Sequence, residues 1–278
     1  MPENAFPGVE VHFTGGEYAA LDVGAQAIAW TPPEQNAVLW LSPLATFEPG
    51  AALRGGLPVV FPWFGAGPSG DRTPSHGFAR TAAWRREAVL NELATSGRLV
   101  VRYSLNEAGL DSAPFAAELT LSFAPVQFEV SLRVANTGPD VYRYEEALHT
   151  YFAVSGIDAV RVDGLAGCAY LDKAAGGGAD EIVQAGSVRF TGEVDRVYRH
   201  GGDAVIVDPG WSREIVVGKQ GSANTVVWNP GPVKGPALAD VGLHWTDFVC
   251  VEAGNVRDAA IELAPGEEHI LTQTIRLR

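Results

Sequence analysis

The chain has 278 residues, of which 46% are hydrophobic and 19% are charged. This composition excludes a disordered or collagen-like chain, and the length is within the range in which one all-β domain buries a large core. The formal net charge of −13 disfavours nucleic acid and anionic membranes as partners, because the field of the protein would repel both. An anionic ligand would therefore need a local cluster of arginines.

The first thirteen residues, MPENAFPGVEVHF, contain no secretory leader, since a basic region followed by an apolar one is missing. No apolar run approaches the roughly 18 residues that cross a bilayer. The two cysteines, Cys168 and Cys250, are too few for a disulfide framework. We expect a soluble, monomeric, cytoplasmic protein that binds neither membranes nor nucleic acid.

Alternation of apolar and polar residues, the pattern of a half-buried strand, is clearest before the middle of the chain. Leu99, Val101 and Tyr103 share one face, and the segments 117–123 and 128–134 repeat the pattern. These three segments predict an antiparallel meander. In chain order, strands are predicted at 84–90, 99–105, 117–123, 128–134, 148–154, 204–207, 213–218, 224–228, 247–252, 259–263 and 269–277.

The last two predicted strands form a hairpin-like pair in this interpretation, with residues 264–267 as the turn. No long segment has convincing helical spacing, and no repeat with a period of about 20–50 residues is present. Many short strands without crossover helices indicate a sandwich of antiparallel sheets. We predict one all-β domain over residues 1–278, in which the glycines at 176–178 form a surface loop.

Two segments place an arginine close to glycines. Arg54 precedes Gly55 and Gly56, and Arg80 ends the segment SHGFAR at 75–80. A guanidinium in such a segment reaches a ligand without interference from neighbouring side chains. Two arginines from separate loops can bind one phosphate through charge-assisted hydrogen bonds. For Arg54 the alternative is an ordinary surface arginine in a turn.

Three further ionisable residues have both a functional and an ordinary interpretation. His149 lies in an apolar, strand-like segment. It is either a general acid, since the ordinary pKa of histidine is near neutrality, or a hydrogen-bonded core histidine. Glu252 follows the apolar run 248–251. It is either a functional carboxylate or the end of a strand, where it faces solvent. For Asp195, a pair with Arg196 or a turn cap is the simpler interpretation.

Other kinds of site have little support in the sequence. The six histidines and two cysteines show no His-x-x-x-His or Cys-x-x-Cys spacing, so no metal site is predicted. Neither nucleotide-binding glycine motif occurs, and no Gly-x-Ser-x-Gly elbow is present. We therefore predict no cofactor.

Several segments, taken together and in this order, resemble the glucose-6-phosphate 1-epimerases, or hexose-6-phosphate mutarotases, of the aldose 1-epimerase superfamily. The resemblance spans roughly residues 50 to 275. The matching segments are LRGGLPVVFPWFG (53–65), HGFAR (76–80), ALHTYFAV (147–154), GLAGCAYLDK (164–173), EVDRVY (193–198), VVWNP (226–230) and VCVEAGNV (249–256).

The resemblance implies a galactose-mutarotase-like β supersandwich and a cofactor-free enzyme that interconverts the α and β anomers of a sugar phosphate. By motif position, His149 is expected to protonate the ring oxygen. Glu252 is expected to remove the proton of the anomeric hydroxyl. One proton given and one taken are sufficient for ring opening and reclosure, so the chemistry of the two residue types agrees with these roles.

The resemblance also implies a set of substrate-binding residues. Arg54 and Arg80 are expected to bind the 6-phosphate, Asp195 to hold sugar hydroxyls, and His76 to line the site. Ser75 occupies a position where similar sequences usually have glutamine, so phosphate affinity or sugar choice could differ here. After VVWNP the family often has tryptophan, whereas this chain has a glycine, Gly231.

Two other functions fit the same pattern. An aldose 1-epimerase that acts on neutral sugars would keep His149, Asp195 and Glu252 but make little use of the two arginines. A non-catalytic carbohydrate-binding or regulatory protein would keep the fold without the chemistry, because a fold alone does not define a function.

Overall fold

The computed structural model describes residues 7–13, 16–48, 50–105, 113–174 and 181–278. Within these ranges the helices are short: Leu93–Ser96 (α1), Gly231–Lys234 (α2), and the 3₁₀ helices Pro209–Trp211, Gly235–Ala237, Gly242–Asp247 and Arg257–Ala259. The strands are Gly8–Phe13 (β1), Gly16–Leu21 (β2), Ala27–Thr31 (β3), Val59–Val60 (β4), Trp84–Glu92 (β5), Arg98–Leu105 (β6), Phe115–Phe123 (β7), Gln127–Asn136 (β8), Tyr142–Tyr144 (β9), Glu146–Leu148 (β10), Tyr151–Ala153 (β11), Arg161–Asp163 (β12), Ala169–Asp172 (β13), Ile182–Val183 (β14), Val194–Arg199 (β15), Ala204–Asp208 (β16), Arg213–Gln220 (β17), Asn224–Asn229 (β18), Phe248–Asn255 (β19), Ile261–Leu263 (β20) and Glu268–Leu277 (β21).

Two large antiparallel sheets form most of the described structure. The first, here called the β8 sheet, has the strand order β12-β16-β17-β21-β8-β7-β6-β5. The second, called the β19 sheet, has the order β14-β13-β15-β18-β19-β10-β4, and β11 also pairs with β19. A three-stranded sheet, β1-β2-β3, and a two-stranded sheet, β20-β9, lie outside these two. The prediction of an antiparallel β sandwich is confirmed.

The core lies between the two large sheets, as strand alternation dictates. Leu119, Val130 and Leu132 of the β8 sheet and Val249 and Val251 of the β19 sheet belong to one cluster of fully buried side chains. Since successive residues of a strand point to opposite faces, the even-numbered residues of β19 lie on the other face of its sheet. That outer face carries the site described below.

Hydrogen bonds between buried side chains also join the two sheets. The Gln273 amide, on β21, donates to the backbone oxygen of Val251 at 3.1 Å. The Thr150 hydroxyl, between β10 and β11, donates to the amide oxygen of Gln273. Both Thr150 and Gln273 are fully buried. Because these bonds are shielded from water, they fix the segment around Thr150 against the opposite sheet.

The predicted meander is confirmed, since β6, β7 and β8 pair in succession. The predicted strand at 148–154 is interrupted and forms β10 and β11. The glycines at 176–178 lie outside the described residues, and the single domain over 1–278 stays a prediction. None of the helices in the described ranges is long and apolar enough to span a membrane.

The predicted hairpin near the C-terminus is wrong. The turn exists, with the Glu267 amide donating to the Ala264 oxygen at 3.0 Å, but its two strands belong to different sheets. β20 pairs with β9, whereas β21 pairs with β17 and β8. The buried Asn136 amide, at the end of β8, donates to the Leu263 oxygen at 2.8 Å and fixes the end of β20 beside β8. The turn residues therefore predicted the reversal of the chain at 264–267 but not which strands pair.

One partly buried ion pair makes stability depend on pH. His269 Nε2 lies 3.2 Å from Oε1 of the fully buried Glu146, and this hydrogen bond raises the pKa of His269. The stabilisation is complete below the unfolded-state pKa of about 6.5 and is lost as the pH rises through the higher folded-state pKa. We expect His269→Gln to lower the free energy of unfolding by about 1–3 kcal/mol in mild acid and by less in alkali, measured by urea unfolding.

The control for this prediction is His12→Gln on β1, where the imidazole is exposed and pairs with Glu10 at the surface. Exposed pairs contribute little, so this variant should unfold like the unmodified protein at both pH values. Equal losses for His269→Gln in acid and in alkali would contradict the assigned role of Glu146.

Candidate active site

The outer face of the β19 sheet brings together residues that are far apart in sequence. Register pairs Asp195 with Trp228 and Trp228 with Cys250, and it pairs Val226 with Glu252. Asp195 on β15 and Glu252 on β19 therefore project from the same face in neighbouring rows. Glu252 is only 1% exposed, so its interpretation as a strand end that faces solvent is wrong.

His149 reaches this face because a strand is interrupted beside it. Leu148 pairs with Ala253 and Tyr151 with Cys250, so residues 149 and 150 lie opposite 251 and 252 without regular ladder pairing. The His149 amide donates instead to the Pro58 oxygen at 3.0 Å. The imidazole is buried, and its Nδ1 lies 3.3 Å from Oε1 of Glu252.

A cavity of about 330 Å³ opens over this histidine–glutamate pair. That volume is at the lower end of the range for small-molecule sites. All seven residues predicted for the site line it, and their roles stay predictions. The lining residues are Arg54, Phe64, Ser75, His76, Arg80, His149, Lys173, Asp195, Val226, Trp228, Lys234, Leu238 and Glu252.

The pair has buried polar atoms without partners. His149 Nδ1 and Glu252 Oε2 make no hydrogen bond within the described part of the chain. Burial lowers the pKa of His149 well below its usual range, and the neighbouring His76, Arg80 and Arg54 act in the same direction. Burial also raises the pKa of Glu252 well above its usual range. Two groups that can give or take a proton thus face a cavity with unpartnered atoms. Such atoms can form hydrogen bonds with the hydroxyl groups of a ligand.

Arg54 is fixed by two side chains rather than left at the surface. Its Nε donates to Oδ2 of Asp240 at 2.9 Å, and its Nη1 donates to the Tyr151 hydroxyl at 2.9 Å. The guanidinium also lies 5.8 Å from the centre of the Trp228 ring. Asp240 neutralises part of its charge, while the remaining donors stay available to a ligand.

Arg80 differs from Arg54 because no carboxylate oxygen of the described residues lies within 4.0 Å of its guanidinium. Its Nη2 donates to the Ser75 backbone oxygen at 2.6 Å, and its buried Nε has no partner. A partly buried cation without a counter-ion is unfavourable unless an anion is bound. Of the two cavity arginines, Arg80 is therefore the one without a counter-ion among the described residues.

His76 lies between Arg80 and the histidine–glutamate pair. Its backbone adopts a left-handed conformation with φ of 66°, and its amide donates to the Gly65 oxygen at 2.7 Å. The Gly65 amide donates back to Nδ1 of the ring at 3.4 Å, which leaves the proton on Nε2. Burial lowers the pKa of His76 to about 3, so the ring is a neutral donor near His149, 5.7 Å away between ring centres.

Sequence reasoning missed the lining residues Lys173 and Lys234, and it missed the Tyr151 hydroxyl that accepts a hydrogen bond from Arg54. Lys173 Nζ lies 3.3 Å from both carboxylate oxygens of Asp195. The alternative pair between Asp195 and Arg196 is not formed, because the two side chains project to opposite faces and Arg196 contacts Asp172. Lys173 ends the segment GLAGCAYLDK, which supported the resemblance, and its charge next to a short strand was the available signal.

The glycine at position 231, where the family often has tryptophan, is required by the backbone. Its φ is 68°, and a Cβ there would lie 2.5 Å from the backbone nitrogen of Glu193. We expect Gly231→Ala to destabilise the protein more than Gly186→Ala, where φ is 66° and the space is open. The Gly186 variant should cost about 1–2 kcal/mol, the cost of the left-handed conformation alone. Thermal unfolding of both variants measures the difference, and equal losses would exclude the close approach at Gly231.

Ligand-type side chains come together at one further place in the described ranges. Glu10, His12 and Glu17 have ligand atoms within 4.8 Å of one another, on β1 and β2. None of them lines the cavity. The expectation of no metal and no cofactor stays a prediction.

Comparison with known proteins agrees with this geometry. A sequence model of the aldose 1-epimerase family matches residues 10–276, so the chain belongs to that family. The Escherichia coli (strain K12) protein named "Putative glucose-6-phosphate 1-epimerase" is 33% identical over 265 residues, which are 91% of this chain and 84% of that protein. A Salmonella typhimurium protein of the same name is 35% identical over 237 residues, or 82% and 76% of the two chains.

Solved structures confirm the fold. The crystal structure of a "putative mutarotase" from Salmonella typhimurium superposes with a TM-score of 0.85 at 30% identity, over 96% of this chain and 89% of that one. A galactose mutarotase related enzyme from Lactobacillus acidophilus shares the fold at a TM-score of 0.71 and 13% identity, over 98% and 97% of the chains. The predicted family and the galactose-mutarotase-like fold are confirmed, and the protein is an epimerase of this family.

Proposed function

We propose that the protein is a hexose-6-phosphate mutarotase that interconverts the α and β anomers of glucose 6-phosphate. The main support is one cavity that contains both an unpartnered histidine–glutamate pair and Arg80, a guanidinium without a counter-ion. The histidine–glutamate pair supplies an acid and a base, and Arg80 supplies a site for a phosphate. The names of the two bacterial relatives agree with this substrate.

Ring opening uses the two buried groups together. His149 gives a proton to the ring oxygen, Glu252 takes the proton of the C1 hydroxyl, and the bond between C1 and the ring oxygen breaks to give the open-chain aldehyde. Rotation about the bond between C1 and C2 and the reverse proton transfers give the other anomer. Both oxygens are bonded to C1, so a base 3.3 Å from the acid is suitably placed for both. General acid and base groups each accelerate such a step by about 10²–10⁴-fold.

The protonation states of the pair are compatible with this sequence. Burial favours a neutral His149 and a protonated Glu252 in the empty site, which carries the same number of protons as an imidazolium with a carboxylate. A phosphate dianion at Arg54 and Arg80 would cancel positive charge that lowers the pKa of His149. Substrate binding therefore raises the pKa of His149 towards its ordinary value.

Local charge explains how a strongly acidic protein accepts an anion. The cavity is lined by Arg54, Arg80, Lys173 and Lys234, against Asp195 and Glu252 as its carboxylates. Charges inside a concave, partly dry site act at short range and outweigh the distant surface charges that give the net −13.

The direct test follows the return of a pure anomer to equilibrium by NMR or polarimetry, with and without the protein. We expect acceleration for α-glucose 6-phosphate and little for α-glucose at the same concentration. Equal acceleration of both sugars would identify an aldose 1-epimerase of neutral sugars instead. No acceleration with any hexose or hexose phosphate would identify a binding protein that has kept the fold.

A further inference from the structure

Lys173 occupies a fixed position between two parts of the cavity wall. It follows β13, and its backbone amide donates to the backbone oxygen of Asp195 on β15 at 2.8 Å. Its side chain turns back to the same residue, with Nζ 3.3 Å from each carboxylate oxygen of Asp195. Only 27% of the lysine side chain and 16% of the aspartate side chain are exposed.

The ammonium group also lies 4.9 Å from the centre of the Phe64 ring. The Phe64 side chain is buried, and its backbone amide donates to the buried Glu145 carboxylate at 3.1 Å. Cation–π contact and an ion pair together restrict a side chain that is otherwise flexible. Lys173 is therefore held as a localised positive charge at the edge of the site.

Charged and titratable groups from several elements act on Glu252. His149 faces it from the interruption after β10, Arg80 from the loop before β5, Lys173 from the end of β13, Asp195 from β15, and Cys250 lies on its own strand. Burial raises the pKa of Glu252, Lys173 is the strongest influence in the opposite direction, and Asp195 raises the pKa further. Asp195 and Glu252 project from the same face of the β19 sheet, so a lysine charge paired with Asp195 opposes the repulsion between the two carboxylates.

We propose that Lys173 is a positioning residue that favours the ionised, proton-accepting form of Glu252 while it holds Asp195 in place for the sugar hydroxyls. This inference rests on the proposed mutarotase function, in which Glu252 is the base. Without Lys173, the charge of Asp195 would act on Glu252 without compensation, and Glu252 would keep its proton to higher pH.

The test is the pH profile of kcat for Lys173→Gln and Lys173→Arg. We expect the low-pH limb, where the base loses activity, to move to higher pH in Lys173→Gln, with about a tenfold loss of kcat near neutrality for each unit that it moves. Lys173→Arg should keep the limb in place because the charge remains. Arg199→Gln removes an exposed cation that pairs with Glu181 and Asp258 outside the cavity, and it should not move the limb.

A second variant separates charge from structure. In Lys173→Gln combined with Asp195→Asn, the uncompensated aspartate charge is also removed, so the limb should return towards its original pH. A loss of kcat in Lys173→Gln that is uniform across pH would indicate a structural role only and overturn the proposal. The same limb in Lys173→Gln as in the unmodified protein would also overturn it.

Infrared titration of the buried carboxyl distinguishes this inference from the proposed function, because it needs no turnover. The band that disappears in Glu252→Gln identifies the group, and it should protonate at higher pH in Lys173→Gln. That shift in a protein without mutarotase activity would retain the electrostatic role and reject the function. Mutarotase activity without the shift would reject the role of Lys173 and retain the function.

Discussion

Glu252→Gln is expected to lower kcat by about 10²–10⁴-fold while the protein remains folded. The amide has nearly the same shape as the carboxyl group but cannot accept a proton from the C1 hydroxyl. Rates of anomer exchange at saturating glucose 6-phosphate, followed by NMR, measure the effect. Glu262→Gln is the matched control, since its side chain is 63% exposed on β20 and outside the cavity.

Stability gives an independent check on Glu252→Gln. Because burial disfavours the charged form of Glu252, glutamine should leave the melting temperature unchanged or higher. His149→Ala should also lose most of kcat, and the double variant should lose little more than either single one, because the two groups act as a unit. Normal turnover in either single variant would reject the assigned mechanism.

Arg80→Met is expected to remove the preference for a phosphorylated sugar. Truncating one partner of a buried charge pair costs about 2–5 kcal/mol, so kcat/KM for glucose 6-phosphate should fall at least about 30-fold. The value for glucose should change little, because a neutral sugar makes no ion pair. The ratio of the two kcat/KM values therefore measures the phosphate contact separately from any general damage.

The control for Arg80 is Arg72→Met, since Arg72 is exposed, stacks on Trp63 and does not line the cavity. Arg54→Ala should also reduce the preference, by less than Arg80→Met, because Asp240 already neutralises part of its charge. An unchanged kcat/KM for glucose 6-phosphate in both arginine variants would remove the phosphate role.

The parts of the fold that the sequence pattern predicted are long strands with one buried and one exposed face. Alternation is visible at 99–105, 117–123 and 128–134 because each strand is covered by the core on one side only. Strands such as β13 and β15 gave no such signal, since charged side chains on them line the cavity or pair across strands. The hairpin prediction failed for another reason: the partner of a strand depends on contacts with distant segments, such as those of β20 with β9.

The candidate site was accessible only in part from the sequence. The motif resemblance supplied all seven predicted residues, whereas single residues such as Asp195 favoured ordinary interpretations. Lys173 and Asp240 were missed because their importance depends on side chains that meet only after folding, Asp195 and Arg54. The burial of Glu252 could not be predicted either. The residue follows four apolar residues, but only the neighbouring strands determine that its carboxyl group is buried.

The bonds from Thr150 to Gln273 and from Gln273 to Val251 have an evolutionary consequence. They tie Thr150, which follows His149, and Val251, which precedes Glu252, to the opposite sheet. If the two site residues have the proposed roles, change at position 273 is constrained by catalysis as well as by packing. Lineages that replace this glutamine should carry a compensating replacement at 150, although neither side chain would be recognised by its contact with a sugar.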